Sequence, residues 1–372
     1  MLVLEGAVCQ SGYLPVRPGL AMGADKRWSV RYARIDQQQT FSETTSPYQI
    51  MLLEIFVSLI LGLHLLCVDL AAAGPLVCLW LDWKEGRGDV QAGHAGRFLL
   101  KATLHGLVIG TLLGLAVGCF LWDAEYRAQL MRVASRVHFG VWEWLFSVGL
   151  LYGYRWSWRD ATTCCPAKRR LRWLLPLLAS TNLLYHFPPL FLIFSQLDPA
   201  GEALTSAQFR ARLVDSYVVA RTLHFCLAAL AVTGIALVVF ALKQTRDADA
   251  SPDSVRPARW GARLALVATL LQLPVGIWIV LEMGPAAQRQ LMGGSLVATG
   301  LFGLSLLGAL ALIHYLSAVA FGKFRRDVAV RTISLMILIV LLMTIVARLS
   351  KEREVAAARA NDRPAVCSLA SF

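Results

Sequence analysis

Charged residues, strand-like alternation and paired cysteines are all scarce in this sequence, and each scarcity excludes a class of protein. Only 16% of the 372 residues are charged, whereas 57% are hydrophobic; a soluble domain typically has about 25% charged residues. No internal repeat and no stretch of alternating apolar and polar residues is evident, which disfavours a protein built from strands. The composition predicts an all-α protein whose helices span a membrane.

The eight cysteines form neither a disulfide framework nor a haem-attachment motif. Four of them lie inside apolar runs, where a thiol behaves as a small apolar side chain: Cys67, Cys78, Cys119 and Cys226. Cys164 and Cys165 are adjacent, which disfavours a bridge between them, and no second pair matches them. The absence of a C-x-x-C-H sequence excludes covalent attachment of a c-type haem.

Basic residues outnumber acidic ones, and the formal net charge is +12. In a soluble protein such a charge suggests a nucleic-acid partner. Here, however, Lys and Arg lie in short loops between apolar runs, as they do in membrane proteins. The lipid bilayer is therefore the expected partner, and nucleic acid is not. We predict an N-terminal tail 1–48 without the features of a signal peptide, a membrane bundle 49–349 and a polar tail 350–372.

Eight apolar runs are long enough to cross a hydrocarbon core about 30 Å thick as helices. They cover residues 48–83, 98–122, 138–156, 173–195, 217–242, 261–282, 294–321 and 332–349. The first run is too long for one straight span and contains Asp69 and Gly74-Pro75, which predicts a single kinked helix. The sequence thus predicts a polytopic bundle of about eight transmembrane helices.

The distribution of basic residues predicts the orientation of the bundle. The loops after the first, third, fifth and seventh runs are rich in Lys and Arg, whereas the loops on the other side hold only scattered arginines. Basic loops of membrane proteins face the cytoplasm. Both termini are therefore predicted on the outer, periplasmic side of the plasma (inner) membrane.

Six of the seven histidines lie in the apolar runs or at their edges, and only His94 lies in a loop. Polar side chains in lipid are costly, so they are candidates for function. At about 1.5 Å per residue, four imidazoles fall in the outer half of the bilayer and two in the inner half: His64, His138, His186 and His224, then His105 and His314. Neutral imidazole is the usual axial ligand of b-type haem, so two levels predict two haem positions. The alternative is that each histidine only hydrogen-bonds to a neighbouring helix.

Glu143 is the only acid inside the third run, and we predict it as the catalytic residue. The sequence leaves its role open between a haem ligand, a proton carrier and a partner of Arg221. A protonated side chain with a purely structural role is the alternative.

The second run has a glycine at every fourth position, Gly106, Gly110, Gly114 and Gly118. Such a spacing gives a helix one smooth face, which suits close packing of another helix or of a flat macrocycle. We predict helix packing as the main role of this face.

Four stretches within residues 50–246 resemble subunit I of the cytochrome bd quinol oxidases. HLLCVDLAAAGP (64–75) resembles the first helix of that family, EWLFSVGLLYGYRW (143–156) the third, LLASTNLLYHFPPLFLIFSQLDP (177–199) the fourth and RTLHFCLAALAVTGIALVVFALKQTRD (221–247) the fifth. The resemblance implies that His64 ligates an active-site haem and that His224 ligates a low-spin b haem. It also implies that Glu143 is the membrane glutamate of the third helix.

The chain departs from that family at several positions. Ser135 and His138 stand where the family has a second glutamate, and only Met292 is near the family's methionine ligand. The connection after the sixth run, MGPAAQRQLMGG, is short, whereas the family has a long loop there that contacts quinol. Three histidines have no counterpart in the family: His105, His186 and His314. These departures weaken the prediction of oxygen reduction more than that of haem binding.

The sequence therefore predicts a membrane electron-transfer protein with two or more b-type haems, which moves electrons between a quinone and a redox partner or oxygen. The candidate enzyme class is a quinol-linked oxidoreductase. Expected partners are quinone, other redox subunits or a periplasmic cytochrome. Two alternatives stay open: a haem-free transporter or proton channel that uses the histidines and Glu143 as relay groups, and a non-catalytic membrane anchor of a redox complex.

Specific ligand sets follow from this prediction. The low-spin haem takes His224 and one of His186, His138 or Met292, with Arg221 neutralising a propionate because guanidinium groups suit carboxylates. His64 and Glu143 form a second outer site. His105 and His314 form an inner bis-histidine site.

Overall fold

The computed structural model describes residues 47–159, 166–198, 201–245 and 253–361. The chain divides into two units, Met1–Leu53 and Glu54–Phe372. Of the first unit, only the beginning of one helix belongs to the described residues. Residues 1–46 of the predicted N-terminal tail lie outside the described residues. The neighbouring cysteines Cys164 and Cys165 also lie outside them.

Eleven α-helices and one π-helix, and no β-strand, make up the part of the chain that the structure describes. The helices are α1 (Pro47–Glu85), α2 (Val90–Phe120), α3 (Ala124–Arg132), α4 (Ala134–Arg159), α5 (Pro166–Ser195), α6 (Ser206–Leu213), α7 (Ser216–Gln244), α8 (Arg256–Glu282), α9 (Pro285–Arg289), the π-helix Gln290–Gly294, α10 (Leu296–Phe321) and α11 (Arg326–Asn361). The eight predicted spans correspond to α1, α2, α4, α5, α7, α8, α10 and α11. The all-α fold class is thus confirmed.

Seven helices within the described ranges are long and apolar enough to cross a membrane, namely α1, α2, α5, α7, α8, α10 and α11. This confirms a multi-pass membrane protein. Helix α4 is 26 residues long, which is sufficient length, but its many Trp, Tyr, Ser and Arg side chains make it less apolar than the others. The eighth span stays a prediction.

Helix α1 lies against most of the other long helices. It is a single helix that continues through Pro75, as predicted, whereas the predicted kink stays a prediction. Its C-terminal half contributes Ala71, Cys78 and Leu81 to a buried cluster with side chains of α2, α4, α5 and α7. Nearer its N-terminal end, a Cβ atom added to Gly62 would lie 2.6 Å from a methyl carbon of Leu341 on α11. The side chains that α1 carries are therefore held by several neighbours at once.

A second buried cluster joins α7, α8, α10 and α11. The closest approach within it is between Gly234 on α7 and Gly261 on α8, where a Cβ atom on either glycine would collide with the backbone carbonyl of the other. Small residues allow two helix backbones to come this close in a membrane. Helix α11 continues to Asn361, so the first part of the predicted polar tail 350–372 is helical, and residues 362–372 lie outside the described ranges.

Candidate functional site

The imidazole of His64 lies against the backbone of α2. Its Nδ1 atom is 2.7 Å from the carbonyl oxygen of Gly110. Since a carbonyl only accepts hydrogen bonds, Nδ1 carries the proton in this contact and Nε2 keeps its lone pair. A backbone carbonyl bound to the far nitrogen is the usual arrangement that orients a metal-ligating histidine. His64 is thus held in the tautomer that an axial ligand requires.

The glycine face of α2 makes this contact sterically feasible. A Cβ atom on Gly114 would lie 2.7 Å from Cε1 and 3.0 Å from Nδ1 of His64. A Cβ atom on Gly106 would lie 2.9 Å from the carbonyl oxygen of Cys67, and one on Gly110 would lie 3.0 Å from Val68. Three of the four glycines therefore pack against α1, in agreement with the predicted packing role. Gly118 instead faces the hydroxyl group of Tyr126 at 3.5 Å.

His224 lies between α7 and α8. Its Nε2 atom is 3.4 Å from the amide nitrogen of Gln272. Its Nδ1 atom is buried and has no hydrogen-bond partner among the described residues. Leaving a buried polar atom unsatisfied costs about 1–3 kcal/mol. Because an amide nitrogen only donates, Nε2 accepts in this contact and Nδ1 carries the proton. The lone pair of Nε2 is therefore the one that an iron atom would take in place of Gln272.

Arg221 lies one helical turn before His224. Its Nη1 atom donates a hydrogen bond of 2.6 Å to the hydroxyl group of Tyr217, and its guanidinium lies 5.4 Å from the centre of the same ring. No ion pair joins Arg221 to Glu143 in the described part of the chain. The structure therefore does not bring together this predicted pair, and the guanidinium stays available for an external anion.

Contacts between helices fix the depth of the other outer groups relative to α1. The Ser180 hydroxyl donates to the carbonyl of Ala72, and His186 follows Ser180 by six residues, so His186 lies near the level of Leu66. The rings of Trp80 on α1 and Trp260 on α8 lie 5.5 Å apart. Gln272, which contacts His224, follows Trp260 by twelve residues, so His224 lies near the level of Val68. These two histidines and His64 thus lie within about one helical turn, or about 5 Å, along the membrane normal.

Glu143 belongs to the same level of the bundle. The Asn182 side chain donates hydrogen bonds of 2.9 Å to the backbone carbonyl of Glu143 and to the hydroxyl of Ser147, which sets α4 against α5. The Glu143 side chain is half-buried. His186 is half-buried too, with the rings of Phe139 and Phe187 at 5.4 Å and 5.9 Å. The predicted outer group of side chains is thus brought to one depth.

Three of the predicted histidine ligands have exposed side chains: His138, His105 and His314. His138 accepts a hydrogen bond of 3.4 Å from the indole of Trp142. His105 lies on α2, which packs on α4, α7 and α8, whereas His314 lies on α10, which packs on α8 and α11. The structure therefore does not bring the inner pair into contact, and the inner haem stays a prediction. Met292 lies in the π-helix and is 69% exposed.

A buried polar cluster at the other end of α1 is absent from the sequence prediction. The carboxylate of Asp82 is fully buried and accepts hydrogen bonds from Arg172 at 2.6 Å, Trp173 at 3.0 Å and Tyr154 at 3.3 Å. This cluster connects α1, α4 and α5. In the sequence, Arg172 ends a basic stretch that resembles an ordinary cytoplasmic loop, so only the position of Asp82 at the end of an apolar run signals burial.

No group of three or more His, Cys, Asp or Glu side chains that could hold a metal ion occurs in the part of the chain that the structure describes. A site built only from protein ligands needs such a group. Haem iron needs only one or two axial ligands from the protein. The arrangement around His64 and His224 therefore fits haem better than a bare metal ion.

No protein family and no curated protein matches the chain in sequence. In structure, the chain is similar to the bd oxidase from Geobacillus thermodenitrificans, with a TM-score of 0.65. The likeness covers 83% of this chain and 88% of the other, at 12% sequence identity. At that identity it shows the fold alone. The resemblance predicted from residues 50–246 is thus confirmed as a shared fold, and it extends over a larger part of the chain than those residues.

Proposed function

We propose that the chain is a b-type haem protein of the membrane that transfers electrons between a quinone and a redox partner or oxygen. The observation that carries the proposal is the hydrogen bond from Nδ1 of His64 to Gly110. It leaves Nε2 as a free, oriented donor atom inside a fold shared with a bd oxidase.

Each of the outer residues has a defined task in this proposal. His64 and His224 are the axial ligands, and Gly114 provides the space for the His64 ring. Arg221 offers its guanidinium to a carboxylate of the cofactor, because a guanidinium fork binds carboxylates through paired hydrogen bonds. Haem, when bound, supplies one-electron transfer. Glu143, half-buried at the same depth, is the group that exchanges a proton when the charge of the site changes.

The histidines differ in the support that the structure gives them. His64 and His224 carry the proposal, and His186 is the better placed of the additional ligands because it lies at the same depth and is half-buried. His138 and Met292 are exposed, which makes them weaker partners for His224. We retain His105 and His314 as a separate inner site, to be tested independently of the outer one.

The test is a measurement of haem on the purified full-length protein. We expect a b-type α-band in the reduced-minus-oxidised spectrum and at least about one haem per chain in a pyridine haemochrome assay. His64→Ala and His224→Ala should each remove or alter a haem signal. His94→Ala is the matched control, because His94, which lies in the first turns of α2 and not in a loop as predicted, is exposed and outside both predicted sites. A wild-type protein without the α-band would overturn the proposal.

One structural feature favours a second candidate, a membrane subunit that carries electrons for another protein. Between α8 and α10 the chain makes only α9 and the π-helix, which leaves little extramembrane chain to enclose a quinol. Purification from native membranes distinguishes the two candidates. A haem-containing chain that oxidises quinol only when a second redox protein copurifies with it supports the subunit role.

A further inference from the structure

Several intramembrane hydroxyl groups in the described ranges have a local hydrogen-bond partner. They donate to the carbonyl oxygen four residues earlier, which is how a helix satisfies Ser and Thr in lipid. The hydroxyls concerned, with donor–acceptor distances of 2.7–2.8 Å, are those of Thr111, Ser305, Ser317, Thr332 and Thr344. A buried hydroxyl group without such a bond is therefore an exception that needs an explanation.

Four threonines of the described residues with buried hydroxyl groups depart from that pattern, Thr103, Thr222, Thr233 and Thr269, and two of them lie on α7. The Oγ1 atoms of Thr222 and Thr233 are buried and have no hydrogen-bond partner among the described residues. Together with Cys226 they occupy one face of α7, because separations of four and seven residues repeat the helical period. The stripe extends over about 16 Å of the helix at 1.5 Å per residue.

Asp69 of α1 lies next to this stripe. It is 3% exposed, and its Oδ1 atom has no hydrogen-bond partner in the described part of the chain. Cys226 follows His224 by two residues and therefore lies near the level of Asp69 along the membrane normal. Leu66 and Leu70, on either side of it, pack against the buried cluster that includes Ala231 and Val232 of α7. Asp69 therefore lies between α1 and α7, at the side of the threonine stripe.

The charged and titratable groups near Asp69 do not neutralise it. Cys226 carries no positive charge, His224 is turned towards Gln272 on α8, and Arg221 is engaged by Tyr217. The parts of α10 and α11 that pack in the same cluster contribute Leu312, Leu316 and Met336, which are apolar. An isolated ionised carboxylate in such surroundings is very costly, and a neutral carboxyl group is the alternative that avoids this cost.

We propose that Asp69, Thr222, Cys226 and Thr233 form a proton-conducting polar seam between α1 and α7. Asp69 is the group that binds and releases the proton. The two hydroxyls and the thiol hold the water molecules that exchange it. When a proton passes from the carboxyl group to a water molecule, the carboxylate accepts another from the water on its other side, so no oxidant or reductant is needed. This seam does not depend on haem binding.

The test is infrared spectroscopy of the purified full-length protein with 13C-labelled aspartate, which moves aspartate bands away from those of glutamate. At neutral pH we expect a C=O stretching band of a protonated aspartic acid that disappears in Asp69→Asn and shifts when the buffer is changed to D2O. Asp327→Asn is the control, because Asp327 is an exposed aspartate paired with Arg325 and should leave the band unchanged.

The role of the two threonine hydroxyls is tested by the rate at which the Asp69 band shifts in D2O. Thr222→Val and Thr233→Val keep the side-chain shape and should slow the exchange of the Asp69 band on the order of tenfold or more, as removal of a proton-transfer group does. Their unfolding temperatures are measured alongside, so that slower exchange can be told from a loss of fold. Thr332→Val is the matched control, since its hydroxyl is satisfied by Val328, and it should not alter the exchange rate.

Three results would overturn the seam. The first is a band that persists in Asp69→Asn, which assigns it to another aspartate. The second is a band that does not shift in D2O, which makes Asp69 a neutral structural group. The third is exchange at the wild-type rate in both threonine variants. If Asp69→Asn does not fold, Asp69→Leu provides the same spectral comparison with an apolar side chain of similar size.

Discussion

The Nδ1 atom of His64 lies 2.7 Å from the carbonyl oxygen of Gly110, and this contact decides which nitrogen of the ring is free. It joins the middle of α1 to α2 at the point where the glycine face of α2 lets the imidazole approach. The ligand candidate and its orientation are thus provided by two different helices. Substitutions in α2 should therefore affect the proposed haem site even though His64 itself is unchanged.

The first prediction concerns Gly114→Ala. The new methyl group would lie 2.7 Å from Cε1 of His64, so the ring must move and its hydrogen bond to Gly110 must weaken. We expect a shifted or diminished haem absorption band in the purified variant. Gly149→Ala is the control, because no atom lies within 4 Å of the added carbon and alanine favours the helix. A wild-type spectrum in Gly114→Ala would contradict the placement of His64.

The second prediction separates the outer histidines from the inner ones. The side chains of His105 and His314 are exposed, and their helices have largely different packing partners. We expect His105→Ala and His314→Ala, singly and together, to leave the haem signals of the outer site unchanged. The measurement is the haem-to-protein ratio with the reduced spectrum. A loss of about one haem per chain in both single variants would instead establish the inner bis-histidine site.

The order and type of the helices were predictable from the sequence because hydrophobic length is a strong signal in membrane proteins. The long apolar run through Pro75 predicts one helix, and α1 is one helix. The spacing of the glycines in α2 predicts a packing face, and Gly106 and Gly110 do pack on α1. These features depend on local sequence and on small side chains, and both can be recognised in the sequence alone.

The polar contacts were not predictable to the same extent, because they depend on the rotation of each helix. In the sequence, His105 and His224 look alike, because each is an imidazole within an apolar run. In the structure, His105 is exposed, whereas His224 lies between α7 and α8. Likewise Arg172 follows a basic stretch typical of a loop, and its side chain is nevertheless buried against Asp82. Helical rotation is set by packing that a single sequence does not reveal.

The third prediction concerns the crossing of α7 and α8. A methyl group at Gly234 would collide with the carbonyl oxygen of Gly261, so Gly234→Ala should force the two helices apart. Overpacking of this kind costs about 1–3 kcal/mol. We expect a lower unfolding temperature in detergent for Gly234→Ala. Gly276→Ala on α8 has open space around the new carbon and should match the wild type. Equal stability of the two variants would show that the crossing tolerates a wider spacing.

The last prediction concerns the ion pair between Asp82 and Arg172. Both side chains are buried, with exposed fractions of 0% and 4%, and Nη2 of Arg172 lies 2.6 Å from Oδ1 of Asp82. Removal of one partner leaves the other charge buried and uncompensated, which typically costs about 3–5 kcal/mol. We therefore expect Asp82→Leu and Arg172→Met each to lower the unfolding temperature in detergent strongly.

The double variant decides whether the pair itself stabilises the fold. Since apolar replacement of a whole buried pair is often neutral, Asp82→Leu with Arg172→Met should recover most of the loss seen in each single variant. Arg97→Met is the control, because its ion pair with Glu85 is 44% exposed on the arginine side and such pairs contribute about 0–1 kcal/mol. Losses that simply add in the double variant would mean that Tyr154 and Trp173, which also donate to Asp82, hold the carboxylate independently of Arg172.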